Sequence, residues 1–217
     1  MEMKKSLKPH GWFPGVVYRS FDKREFAEQF IEEGRFRLCE IRDYNKIEDA
    51  FRRDITENTA HVKTIEPVVS VHFPTDGGEP FETIAVGEKS RTAAFDNKLI
   101  YILCCSLKVP TGKFGAYSVK ILDPKALATD ISTFLETLPW KVFGGVEGVR
   151  IEYTKGLFRD GVPDSVDMAR LCYTQKPGEF ADDEEFRFVT IHEWNENKKD
   201  LEVNLDKKLN YVEYVGE

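Results

Sequence analysis

Two rhythms of apolar and polar positions run along the chain. Residues 22–34, DKREFAEQFIEEG, place Phe26, Ala27, Phe30 and Ile31 at helical spacing, with Asp22 as the N-cap and Gly34 as the stop. This pattern predicts an amphipathic helix that packs Phe26, Phe30 and Ile31 on a sheet. A second helix is predicted over 124–138, PKALATDISTFLETL, with Pro124 favourable at its start and Pro139 past its end. Residues 43–56, DYNKIEDAFRRDIT, predict a third and shorter one, with Ile47 and Phe51 on one side.

The remaining apolar runs have the period of strands. They cover 16–19, 35–41, 62–65, 68–73, 83–86, 99–107, 116–121, 144–153 and 171–175, separated by turns such as DGGEP, DNK and PTGKFG. Phe186-Arg187-Phe188-Val189 alternates like a strand with one buried face, and the tail LEVNLDKKLNYVEYV holds one or two more. The glycines of 144–149, GGVEGV, match no phosphate loop and read as a turn and a bulge. No repeat and no low-complexity linker divides the chain. The expected fold is one α+β domain over residues 1–217: a largely antiparallel, split β-sheet with flanking helices.

Composition narrows the function classes. The chain has 217 residues, 41% of them hydrophobic, enough for a substantial core. No stretch is apolar for long enough to span a bilayer and the first fifteen residues hold no apolar signal core, so the expectation is a soluble, cytoplasmic protein. The net charge of −7 argues against a protein that coats nucleic acid. Arg35, Arg37, Arg42, Arg52 and Arg53 nevertheless cluster within nineteen positions, a patch that suits a small anionic ligand such as a nucleotide.

Thiol chemistry and a histidine or cysteine metal site have no support. Four cysteines show no CxxC spacing, and Cys104 and Cys105, adjacent on a strand, point to opposite faces. His10, His61, His72 and His192 are scattered, with no HExxH pair. Neither structural zinc nor a disulfide framework is expected.

Four groups of residues can carry chemistry. Tyr18 and Arg19 end a strand just before a helix, so Arg19 either presents its donors to a phosphate or ribose or lies in solvent. On 43–56, Arg52 and Arg53 either bind a ligand or pair with Glu48 and Asp49 at i,i+4, where each pair contributes only about 0.2–0.5 kcal/mol. Ser106 follows the apolar run of a buried strand, where it either reaches a ligand or a catalytic carboxylate or ties down its own loop. Finally, Asp182, Asp183, Glu184 and Glu185 run straight into a strand. They form either a solvated acidic loop or carboxylates held by a rigid element beside a cleft.

The order of these elements resembles the ADP-ribosyltransferase domains of the arginine–serine–glutamate class. VYRSFDKREFAEQFIEEGRFRL is similar to their opening strand and glycine-terminated helix, YILCCS to their serine strand, and DEEFRFV to their late Glu-x-Glu strand. The last also resembles the Glu-Phe strand of DNA-modifying toxins from toxin–antitoxin systems. CCSLKVPTGKFGAYSVKILDP with QKPGEFADDEEFRF is similar to a group of uncharacterised bacterial domains with a late KP…E-x-E-aromatic-Arg motif. The serine element lacks a Ser-Thr-Ser triplet, and the first acid of the late pair is Asp183.

The resemblance implies NAD as co-substrate, bound between the halves of the sheet by Tyr18, Arg19, Arg53 and Ser106. It implies that Glu185 stabilises the oxocarbenium-like charge as nicotinamide leaves and that Asp183 orients or deprotonates the acceptor. The acceptor would be nucleic acid or protein, the role that of a bacterial toxin or phage-defence effector, with an antitoxin or regulatory protein as a further partner. Two other classes compete: a non-catalytic nucleotide- or partner-binding module, and a metal-dependent nuclease using Asp54, Glu57, Asp183 and Glu185.

Overall fold

A computed structural model describes residues 6–41, 59–72, 81–94, 98–112, 114–154, 159–160, 170, 173–193 and 200–215. Over these residues the chain is α+β. In order it forms β1 (His10–Gly11), β2 (Val17–Phe21), α1 (Arg24–Glu33), β3 (Arg35–Glu40), β4 (Thr59–His72), β5 (Phe81–Ala94), β6 (Lys98–Ser106) and β7 (Tyr117–Ile121). There follow α2 (Pro124–Leu135), β8 (Val142–Arg150), β9 (Glu152–Thr154), β10 (Arg159–Asp160), β11 (Gln175–Pro177), a 3-10 helix (Gly178–Asp183), β12 (Glu185–Glu193), β13 (Asp200–Asn204) and β14 (Val212–Tyr214).

Among the described residues, nine strands make one curled mixed sheet in the order β1-β8-β12-β6-β2-β7-β14, with β3 and β13 branching from β6. All its pairings are antiparallel except β1 on β8. The sheet forks at β6. Its Ser106 end pairs with β2 through Tyr18, and its middle pairs with β3 through Ile102–Cys39 and Tyr101–Glu40.

One face of this sheet carries the main core. Val17, Val119, Ile121, Leu103, Cys105, Phe186 and Phe188 meet Ala27, Phe30 and Ile31 of α1 and Leu127, Ala128, Ile131 and Leu135 of α2. α1 ends where its glycine stop predicts. Gly34 takes φ 62, in the left-handed region, and its N–H bonds back to the Gln29 carbonyl. Space compels glycine there as well, since a Cβ would stand 2.9 Å from the Leu205 Cβ. α2 starts with Asp123 as N-cap, its carboxylate accepting from the Ala126 N–H, and Pro124 in the first turn.

Several sequence expectations are corrected. Phe26 does not pack on the sheet; it is 44% exposed, because it lies about a quarter-turn from the centre of the stripe made by Ala27, Phe30 and Ile31. The helix N-cap is Lys23 rather than Asp22, with no side-chain capping bond. The separate strands expected at 62–65 and 68–73 are one strand, β4, in continuous register with β5 from Thr59↔Ala94 to His72↔Phe81. Pro67 sits beyond the two residues where β10 pairs with β4, so it interrupts no second ladder there. Tyr173 and Thr174 are helical, not extended, and β11 begins only at Gln175. The helix expected at 43–56 lies outside the described residues.

The alternation of β12 also misleads. Phe186 and Phe188 are buried as expected, and Thr190 and His192, opposite Tyr101 and Leu99, are buried on that same face; Glu185 and Arg187 are buried on the other. That face holds a second, smaller apolar cluster of Ile41, Ile100, Ile102, Val149, Ile151, Tyr173 and Val189. Buried polar side chains need partners, and here they have them. His192 accepts at Nδ1 from Trp140 Nε1 at 3.0 Å, which leaves Nε2 to carry the proton toward Thr190 Oγ1, also at 3.0 Å.

Candidate functional site

Register builds the site. Glu185 is directly opposite Ser106, Ser106 opposite Tyr18, Tyr18 opposite Lys120, and Lys120 opposite Glu213. Directly opposed residues share a face, so these five side chains form one row across β12, β6, β2, β7 and β14. The row lies on the face away from α1 and α2, since the flanking Val17, Val119, Ile121 and Phe186 all enter the main core. Tyr18, Ser106 and Lys120 are half-buried. Beside them, Ser20 Oγ and Ser118 Oγ meet at 3.2 Å.

At one end of the row Glu185 is buried and doubly paired. Arg187 Nε reaches its Oε1 at 2.5 Å and Lys176 Nζ its Oε2 at 2.8 Å. Burial alone would push the carboxyl up, but Arg187 and Lys176 outweigh it and hold the group well below the usual carboxylate range. It is therefore ionised at any pH near neutrality. Arg187, fully buried, also donates from Nη1 to the Tyr173 carbonyl at 3.2 Å. Lys176 Nζ stands 5.2 Å over the Phe180 ring.

The backbone of Glu185 is equally constrained. Its N–H donates to Tyr153 Oη at 2.7 Å and its carbonyl accepts from the Ile151 N–H at 3.0 Å. Burial pushes the Tyr153 phenol up to about 12, so it keeps its proton at neutral pH. The acidic run before it is not a uniform loop. Asp182 and Asp183 finish the 3-10 helix, Glu184 takes a left-handed φ of 44, and only Glu185 turns inward. A left-handed non-glycine residue is uncommon, and here the Glu184 carbonyl accepts from the Leu107 N–H at 2.8 Å.

The other expected site residues divide. Ser106 Oγ donates to the Asp183 carbonyl at 3.1 Å and accepts from the Lys108 N–H at 3.2 Å, so it fastens the loops at both strand ends while standing in the row. Asp183 is half-buried beside them. Tyr18 is in the row, but Arg19 is not. Arg19 alternates with Val17 and Phe21 toward the helix-covered face, 5.8 Å over the Phe21 ring, and its Nη1 donates to the Cys104 carbonyl at the fork between β2 and β3. Arg19 therefore stands on the opposite face from Ser106 and Glu185 rather than joining them in one cleft as the resemblance implied, because adjacent strand residues point apart. Arg53 lies outside the described residues, as do Asp54 and Glu57.

Sequence reasoning missed Lys176, Arg187, Tyr153 and Lys120. Lys176 and Arg187 stand inside the KP…aromatic-Arg pattern, and that pattern was the available signal. Nothing local pairs Lys176 with Glu185, because the 3-10 helix between them makes the contact. Cys105 is buried, and burial pushes its thiol up to about 12. No described helix is long and apolar enough to cross a membrane. The chain matches no family model, no curated protein and no solved structure.

Proposed function

We propose that this chain is an NAD-dependent ADP-ribosyltransferase centred on Glu185. The observation that supports it is adjacency: the strands bearing Tyr18, Ser106 and Glu185, far apart in sequence, are consecutive neighbours whose named residues oppose one another. The serine and glutamate elements of the resemblance thus meet at one point of the sheet, and Tyr18 takes the place expected of Arg19.

The chemistry needs a carboxylate that is charged and fixed. In the transfer, the glycosidic C–N bond of NAD breaks with its electron pair leaving on nicotinamide, and positive charge develops on the ribose. The acceptor atom then bonds to the same carbon and gives up a proton. Glu185, ionised and held by two cations and a backbone ladder, is a preorganised anion for that charge. Each carboxylate oxygen keeps a second lone pair for a ribose hydroxyl. Asp183, beside Ser106, is the candidate to take the acceptor's proton. The acceptor is a nucleic acid or protein, and the setting we propose is cytoplasmic, as a toxin or phage-defence effector restrained by an antitoxin or regulatory protein.

A second reading, a non-catalytic nucleotide- or partner-binding module, is favoured by one observation. Both Glu185 oxygens are already paired and the residue is 6% exposed. One experiment separates the two: NAD binding and nicotinamide release by wild type and Glu185→Gln, with nucleic-acid and protein acceptors offered. A transferase loses about 10²–10³ in rate with little change in NAD affinity. Binding without release by wild type supports the module.

A further inference from the structure

We propose that the row from Glu185 to Lys120 is the floor of an extended ligand site, in which Lys120 holds the phosphate of a dinucleotide and Glu213 is the counter-ion that the phosphate displaces. This rests on the transferase reading and assigns the anionic end of its co-substrate. The register brings Glu185, Ser106, Tyr18 and Lys120 into line on four successive strands. Three strand spacings separate Glu185 from Lys120, or about 14 Å. One end carries the Glu185 carboxylate, held by Lys176 and Arg187, the other carries the Lys120 ammonium, and between them lie hydroxyls. Such a strip matches a ligand whose cationic reacting centre and phosphate are separated by a sugar.

Lys120 is suited to a displaceable role. Its side chain is 33% exposed and meets Glu213 Oε1 at 3.4 Å, while Glu213 is 54% exposed. An ion pair that open to water is weak, so the diphosphate of a dinucleotide, which as a whole has more acceptor oxygens and more charge than one carboxylate, competes well for the ammonium. The other face of β7 cannot serve, because Val119 and Ile121 are fully buried. Tyr18, half-buried between Ser106 and Lys120, offers a ring edge and a phenol along the path. In contrast to Lys120, Lys176 is buried against Glu185, which commits it to that carboxylate.

The test is calorimetric titration of ADP-ribose, and of nicotinamide riboside as a phosphate-free probe, into wild type, Lys120→Met, Lys120→Arg and Glu213→Gln. Nicotinamide release from NAD by wild type is followed in parallel. Lys120→Met should weaken ADP-ribose roughly ten-fold or more, the loss expected for a charged hydrogen bond, and Lys120→Arg should recover most of it. Glu213→Gln should tighten ADP-ribose about two- to five-fold, because it removes a weak competitor. Nicotinamide riboside should bind all four proteins alike. If Lys120→Met binds ADP-ribose as tightly as a wild type that releases nicotinamide, the row assignment is overturned and the transferase reading stands. A wild type that neither binds ADP-ribose nor releases nicotinamide overturns both.

Discussion

Lys176 and Glu185 are the two ends of a 2.8 Å ion pair buried to 8% and 7% side-chain exposure, and the 3-10 helix Gly178–Asp183 bridges them. The pair closes that helix onto β12, and Arg187 on the same strand completes it. A buried charge is tolerable only when paired, so each member depends on the others.

Removing either cation leaves Glu185 paired with the other. Lys176→Met and Arg187→Met should each destabilise the fold by about 1.5–3 kcal/mol, the range for losing a hydrogen bond to a charged group. Chemical denaturation at neutral pH measures this directly. A loss within about 0.5 kcal/mol would show that the cluster is solvated rather than buried.

The same cluster gives stability an acid limb. The folded Glu185 carboxyl lies below its unfolded value of about 4.3. The unfolded chain then binds more protons in the window between the two values, so stability falls as pH falls through it. The contribution is complete above about pH 5 and disappears toward the folded value. The stability gap between wild type and Glu185→Gln should be constant from about pH 5 to 7 and narrow below about pH 4. A gap that does not change down to pH 2 would contradict the depressed value.

α1 offers a contrast between two phenylalanines. Phe30 is fully buried, touching Phe21 and Phe36 at centroid distances of 5.5 and 5.1 Å, whereas Phe26 is 44% exposed. Phe30→Ala should cost about 3–5 kcal/mol, and Phe26→Ala should stay within about 0.5 kcal/mol. Thermal melts of the two variants decide it, and equal losses would mean that the stripe is misplaced.

Gly34→Ala tests a position with two constraints. The left-handed backbone costs an alanine about 1 kcal/mol, and the 2.9 Å approach to the Leu205 Cβ adds a clash between α1 and the turn after β13. A loss above about 1 kcal/mol is expected, larger than at a glycine stop with open space.

Cys105 should resist alkylation in the folded protein. Its thiol is pushed up to about 12 and is 5% exposed, so little thiolate exists at pH 8. Iodoacetamide labelling followed by peptide mass analysis should modify Cys105 only once denaturant has unfolded the chain. Rapid native labelling would place that strand end in solvent.

The legible parts of the fold were those carried by short-range periodicity. The stripe of Ala27, Phe30 and Ile31, the stop at Gly34, the Pro124 start and the apolar run of β6 all follow from spacing within one or two turns or pleats. Phe26 was misread because a helical stripe has edges that the sequence does not mark. The second face of β12 was misread because Arg187 looks solvated until its partners are known. Of the site, the sequence identified Tyr18, Ser106, Asp183 and Glu185 as strand-end residues, but not which of them meet.

What the sequence determined by itself was the identity of most elements and their buried stripes, since both depend on side chains a few positions apart. Only the tertiary structure decided that β12, β6, β2 and β7 are neighbours in a register that lines up Glu185, Ser106, Tyr18 and Lys120. It also decided that Arg19 leaves this row for the fork and that Lys176 closes on Glu185. The reason is that strand order and register are set by contacts between distant segments, and a shift of one residue reverses every side chain's face.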